Sequence, residues 1–191
     1  RILLAASAVL FATTGVSLAV RERPAGRQGL AREHAPPTSS EGGALPTDLA
    51  GTGLYADWGT REIAPDIRPF SPQYPLWTDG ARKRRFVYLP PGATIDATDP
   101  DAWQLPVGTK LWKEFSFGRA VETRYIERTA QGFRFATYVW SEDGRTATLA
   151  PPRATVSSAE IASGIRHQIP GQGDCRVCHG NGKTPILGFS A

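Results

Sequence analysis

The sequence predicts a mainly β protein: an antiparallel, sandwich-like meander followed by a short C-terminal segment carrying a helix. Three observations predict it. Between Lys83 and Leu149, short runs rich in Val, Ile, Phe, Tyr, Trp and Thr alternate with polar residues. Tight turn signals separate those runs, at Pro90-Pro91-Gly92, Gly118, Ala130-Gln131-Gly132 and Glu142-Asp143-Gly144. Ahead of them stand Pro65, Pro69, Pro72 and Pro75, spaced too closely for a helix or a central strand.

In chain order, Ile2 to Leu10 is an apolar run behind Arg1, and Ser17-Leu18-Ala19 offers a small-x-small cleavage site. Residues 1–19 therefore read as a secretory signal peptide. An uncleaved N-terminal anchor is the alternative, because weakly apolar residues continue to Val20. Threonines and Gly15 make that a poor span. Residues 20–48 are rich in Arg, Gly, Pro, Ser and Glu and read as a disordered linker, with His34 a solvated residue inside it. Residues 49–152 form the expected β-rich domain.

Within that domain, Leu54 to Gly80 reads as an extended strap whose aromatics, Tyr55, Trp58, Phe70, Tyr74 and Trp77, together with Leu76, plug into a core. Lys83 to Leu89 is a strand. Thr109 to Phe117 alternates, with Leu111, Phe115 and Phe117 on one face, Lys110, Glu114 and Ser116 on the other, and Trp112 breaking the pattern. Val121 to Arg128 follows, and its charges Glu122, Arg124, Glu127 and Arg128 are expected to pair across strands on a wet face. Phe133 to Trp140, apolar on both faces, is the expected central strand, and Thr146 to Leu149 returns from the next hairpin. Beyond Pro151-Pro152, Ser157 to Ile161 is expected to make one helical turn. Asp174 is placed to cap a short helix that Gly180 lets stop.

The 22 Lys and Arg against 18 Asp and Glu give a net charge of +4, spread along the chain. Its densest cluster, Arg82-Lys83-Arg84-Arg85, leads straight into Phe86-Val87-Tyr88-Leu89 and reads as a strand entrance, so no nucleic-acid partner is expected.

Both cysteines and one of the three histidines lie in Cys175-Arg176-Val177-Cys178-His179. The spacing C-x-x-C-H is the attachment signature of haem c: two thiols one helical turn apart each add to a porphyrin vinyl group, and the next histidine lies under the ring. A zinc site would need a second ligand pair, and only His34 and His167 remain. A thioredoxin-like dithiol wants a βαβ context that the preceding sequence lacks. Cys175, Cys178 and His179 are thus the candidate cofactor-binding residues, with His179 the proximal iron ligand. His167 is a weaker distal candidate, because Ile165 and Ile169 flank it at alternate positions as they would a packed strand histidine. Only Gly180 to Ala191 follow the motif, too few to wrap a haem, and no Met stands anywhere, even at position 1. Residues 153–191 therefore read as an incomplete haem-attachment segment of a chain cut at both ends, with the sixth iron ligand expected beyond Ala191.

Several blocks in this order carry a resemblance: SPQYPLWTDGARKRRFVYLPPGATI, LPVGTKLWKEFSF, VETRYIER, TYVWSEDGRTATL and DCRVCHGNGKTPILGFSA. From about Leu54 onward the chain resembles a family of exported bacterial c-type, often di-haem, cytochromes with a β-rich body ahead of a CxxCH motif. The resemblance implies haem held by Cys175 and Cys178 with His179 as proximal ligand, and periplasmic electron transfer. It carries no substrate over. The chain departs from it in having a single C-x-x-C-H and no Met for a distal ligand.

The expected function is periplasmic electron transfer through covalent haem c, alone or as a module of a larger oxidoreductase, with a periplasmic redox protein as partner. No membrane contact is expected beyond the signal peptide or an N-terminal anchor. Two alternatives come from other classes. A peroxidase-like haem enzyme with an open sixth position would need a distal group, for which Arg166-His167 is the candidate. A carbohydrate- or protein-binding β module with a haem appendage would use solvent-facing aromatics, for which Trp58, Trp77 and Trp103 are the candidates.

Overall fold

The computed structural model describes residues 43–152, 157–180, 186, 187 and 189. The expected signal peptide, residues 20–42 of the expected linker and His34 lie outside the described residues. The fold is mainly β, a six-stranded antiparallel sheet with two small two-stranded sheets and one short C-terminal helix.

Three short strands open it: β1 (Tyr55–Asp57), β2 (Glu62–Ile63) and β3 (Ile67–Pro69). The sheet continues through β4 (Arg82–Tyr88), β5 (Lys110–Phe117), β6 (Arg119–Thr129), β7 (Gly132–Trp140) and β8 (Ala147–Leu149). Its spatial order, β3-β4-β5-β6-β7-β8, is the chain order. Such a meander needs only hairpins. The β5–β6 turn has Gly118 at φ +73°, where a side chain would clash with the backbone. Pro69 lies in the edge strand, as a residue without an N–H requires.

One face of the sheet buries Phe86, Tyr88, Trp112, Tyr125, Tyr138 and Trp140 against Leu49, Leu54 and Tyr55. Aromatics with a polar tip can be buried where the tip finds a partner. Trp112 Nε1 donates to Thr52 Oγ1 at 2.9 Å, Trp140 Nε1 to Thr123 Oγ1 at 3.0 Å and Tyr138 OH to the Pro46 carbonyl at 3.0 Å. Trp112 thus breaks the alternation because it joins this core, in register with Phe86 and Tyr125.

The expectation of one packed and one wet face is corrected. The second face packs Leu105, Leu111, Ile186 and Phe189 with Val87, Ile126 and Phe133. The C-terminal residues supply part of that cover. The charges of β6 also divide between the faces. Glu122 and Arg124 point to the second face, in register with Phe115 and Lys113, while Glu127 joins Arg134 on the first. Glu122 and Glu127 are fully buried rather than solvated.

Two further elements differ from expectation. β7 is buried on both faces but stands fifth of six strands; the long pairings centre on β5 and β6. Ser157–Ala162 is a strand, β9, rather than a helical turn. It pairs with β10 (Ile165–Ile169) across Gly164, whose φ of +74° closes a hairpin. One turn of helix without a tertiary partner is marginal in water, and the hairpin supplies pairing instead.

Candidate functional site

Helix α1 spans Gln172–His179 and lies against β7. Its start is fixed by Asp174, whose Oδ2 accepts the Gly171 N–H at 3.0 Å. Asp174 therefore caps from the third helical position, not from ahead of the helix. At the other end the Gly180 N–H donates to the Arg176 carbonyl at 2.8 Å, and a Cβ on Gly180 would sit 2.5 Å from that oxygen. Only glycine fits there.

Within this helix Cys175, Cys178 and His179 stand at i, i+3 and i+4, on one face. Cys175 is half-buried and Cys178 exposed, both as free thiols. Burial pushes the Cys175 thiol up, partly offset by the Thr137 hydroxyl, so that this thiol stays protonated at neutral pH. The His179 ring stacks on Phe135 with centroids 5.4 Å apart and planes 27° apart. Among the described residues no three His, Cys, Asp or Glu side chains converge as a metal cluster.

Cys178 and His179 open onto a cleft with about 1060 Å³ of empty space, its solvent-facing mouth included. Three materials line it. The strap contributes Phe70, Tyr74, Leu76 and Trp77; the second face of the sheet contributes Arg85, Leu111, Lys113, Arg124 and Ile126; the C-terminal residues contribute Ile186, Leu187 and Phe189. Tyr74, Leu76 and Trp77 were expected to plug into a core. They are instead 81%, 63% and 79% exposed, and stand as the rim of the cleft. The strap that carries them is tied down by Lys83 Nζ, which donates to the Leu76 carbonyl.

His167 lies next to this cleft, and its setting is ionic. Nδ1 is 2.8 Å from Asp79 Oδ2 and Nε2 is 2.9 Å from Glu122 Oε1, with the ring 1% exposed between Phe115 and Phe117. The Glu122 hydrogen bond raises the His167 pKa, with burial opposing and Asp79 adding to the rise. Glu122 in turn accepts from Arg124 at 2.7 and 3.1 Å. Asp79 reaches His167 from a left-handed turn residue at φ +46°, a conformation that Asp tolerates better than most residues. A metal ligand needs a free lone pair on nitrogen, and both His167 nitrogens are engaged. The arrangement makes His167 a clamp from the strap turn to β6.

No protein family, curated protein or solved structure matches the chain.

Of the aromatics considered as a ligand surface, Trp77 faces solvent. Trp58 stacks flat on Trp140 at 5.3 Å and donates to the Arg145 carbonyl at 2.9 Å, while Trp103 packs edge-on against Phe189. Sequence reasoning missed Asp79, Glu122, Arg124 and the cations of the cleft wall. The signal for Glu122 was present in weak form: a charged residue at the position opposite Phe115 belongs to whichever face Phe115 packs on.

Proposed function

We propose that the chain carries haem c, bound through thioethers at Cys175 and Cys178 with His179 as axial ligand, and that it moves electrons in the periplasm after export. The observation that supports this reading best is that Cys178 and His179 share one cleft with Tyr74, Leu76 and Trp77, large apolar side chains that stand exposed. The residues present fit such a group: a thiol pair at i and i+3, an imidazole beside them, a flat apolar slot and cationic side chains on one wall. Each thiol would add its sulfur and its hydrogen across one vinyl double bond, so attachment needs no external oxidant. When bound, the haem supplies an iron that gains and loses one electron. The protein's own part is to orient and to exclude water. Phe135 fixes the plane of the His179 imidazole by stacking, and Gly180 ends the helix so that the chain can turn back over the cleft. Ile186 and Phe189 close its floor against Phe70, and the exposed strap leaves one edge for a redox partner.

The test is production of the full chain with an exported haem-ligation system. Haem should survive on a denaturing gel, and Cys175→Ala with Cys178→Ala should abolish the band. Stoichiometric zinc in haem-free protein would overturn the reading.

A second reading has one observation in its favour. Tyr74 and Trp77, both exposed on the cleft rim, also suit a sugar ring, as in a β module with a haem appendage. Saccharide binding by the haem-free double Cys variant, lost in Trp77→Ala, would support it. The peroxidase-like reading has less behind it, because both ring nitrogens of His167, its distal candidate, are engaged by Asp79 and Glu122.

A further inference from the structure

Three cations meet in register on the wall of the cleft. Arg85 on β4 stands opposite Lys113 on β5, and Lys113 stands opposite Arg124 on β6. Neighbouring strands lie about 4.8 Å apart, so the three side chains leave the sheet within ~10 Å of one another. Lys83, two residues before Arg85 on the same strand face, adds a fourth charge. Like charges directly opposite across strands repel, and a fold without a use for them selects against the arrangement.

The local counter-charge does not balance the row. Glu122 is the carboxylate on this face, and it is already shared between Arg124 and His167. Among the described residues no ion pair joins Arg85 or Lys113 to a carboxylate. Lys113 and Arg124 lie instead over the Phe115 ring, at 4.9 and 4.3 Å. Burial, with the repulsion of Arg85, Arg124 and Lys83, pushes the Lys113 ammonium down to about 8. A half-buried row of this kind, facing an otherwise apolar cleft, is matched by a ligand that brings two negative charges on one edge.

We infer that Arg85, Lys113 and Arg124 form the seat for a pair of carboxylates, namely the two propionates of the haem. The inference rests on the haem reading above and adds to it which edge of the group meets which wall. The Arg85 guanidinium can take a carboxylate in two parallel hydrogen bonds, which fixes orientation. Arg124, whose Nε and Nη2 already hold Glu122, contributes its remaining N–H groups, and Lys113 contributes a point charge that titrates. A free dicarboxylate offers the same chemistry from another source, and the experiment separates the two.

The experiment uses the full haem-loaded chain and the variants Arg85→Gln, Lys113→Gln and Lys113→Arg. Arg145→Gln, at an exposed residue of the β7–β8 hairpin, serves as control. All should retain haem on a denaturing gel. The midpoint potential should fall in R85Q and K113Q, which each remove positive charge that favours the added electron, and stay put in R145Q. In the parent chain the potential should fall as pH rises through the Lys113 titration; K113Q should lose that slope at the low value and K113R at the high one. With 13C-labelled propionates, the labelled carboxylate bands in redox-difference infrared spectra should shift in R85Q and K113Q. If the variants hold haem and melt like the parent but the labelled bands stay unmoved, the seat is refuted. That holds even where the potential moves, since a free dicarboxylate or a distant field would do that much. Should R85Q or K113Q fail to fold, K113R, which keeps the charge, must still shift the bands and lose the pH slope, or the inference fails. Absence of covalent haem in the parent chain refutes the haem reading itself, a separate result.

Discussion

Replacing Glu122 with Gln is the sharpest test of the clamp between strap and sheet. The side chain keeps its size, so packing against Phe115 and Val139 is preserved and the change is electrostatic. Glu122 is fully buried, His167 is 1% exposed and the Arg124 side chain is 31% exposed. Removing one partner of a buried ion pair costs about 3–5 kcal/mol, because the other charge is left without compensation. Asp79 still holds one His167 nitrogen, and Arg124 can reach water, so the low end applies, about 3 kcal/mol. For a chain of this size that is a fall of roughly 6–12 °C in Tm. The pH dependence has a definite sign. The His167 pKa is raised in the folded state, so its contribution is fully present below the unfolded value of about 6.5 and is lost as pH rises through the folded value. The destabilisation by E122Q should therefore be largest near pH 6 and shrink toward pH 9. Urea unfolding of parent and variant across that range measures it. A difference below about 1 kcal/mol that does not change with pH would show that the clamp carries no stability.

Three more outcomes follow from the same coordinates. Gly180→Ala should lower Tm and the yield of covalent haem together, by overpacking of about 1–3 kcal/mol, since its Cβ would meet the Arg176 carbonyl at 2.5 Å; an unchanged melt and yield would contradict it. A chain ending at Pro152 should keep a strand-dominated circular dichroism spectrum, because the first core lies within residues 49–147, yet bind a hydrophobic dye through the uncovered second face; absence of either signal would refute the two-core account. In haem-free protein at pH 8, iodoacetamide should label exposed Cys178 ahead of Cys175, whose thiol burial pushes up, as peptide mass spectrometry of a time course would read.

The meander was legible because its signals are local. Alternation and glycine turns specify hairpins without knowledge of the rest of the chain, and strand pairing followed chain order throughout. The helix under the C-x-x-C-H motif was legible for the same reason, from Asp174 and Gly180. What stayed hidden depends on partners distant in sequence. Glu122 reads as a wet-face charge until β10 brings His167 against it from 45 residues away. Trp112 reads as an interruption until Thr52, 60 residues earlier, offers its hydroxyl. Tyr74, Leu76 and Trp77 read as core because apolar side chains normally find cover, yet all three stand exposed.

That lack of cover and the row of like charges are best understood together. Either alone has a plain structural account: an exposed aromatic strap is a common surface feature, and one basic strand face is a common solubility device. Here both face the same cleft, and both disfavour the chain by itself. Leaving Tyr74, Leu76 and Trp77 in water forgoes about 25 cal/mol for each Å² they would otherwise bury. Holding Arg85, Lys113 and Arg124 in register adds repulsion that Glu122, already shared between Arg124 and His167, only partly offsets. An occupant that is flat, apolar over most of its area and doubly negative along one edge relieves both at once. A sugar covers the aromatics but leaves the cations; a small dicarboxylate neutralises the cations but leaves the aromatics. Haem answers both, and the two thiols of α1 stand at the spacing that would attach it.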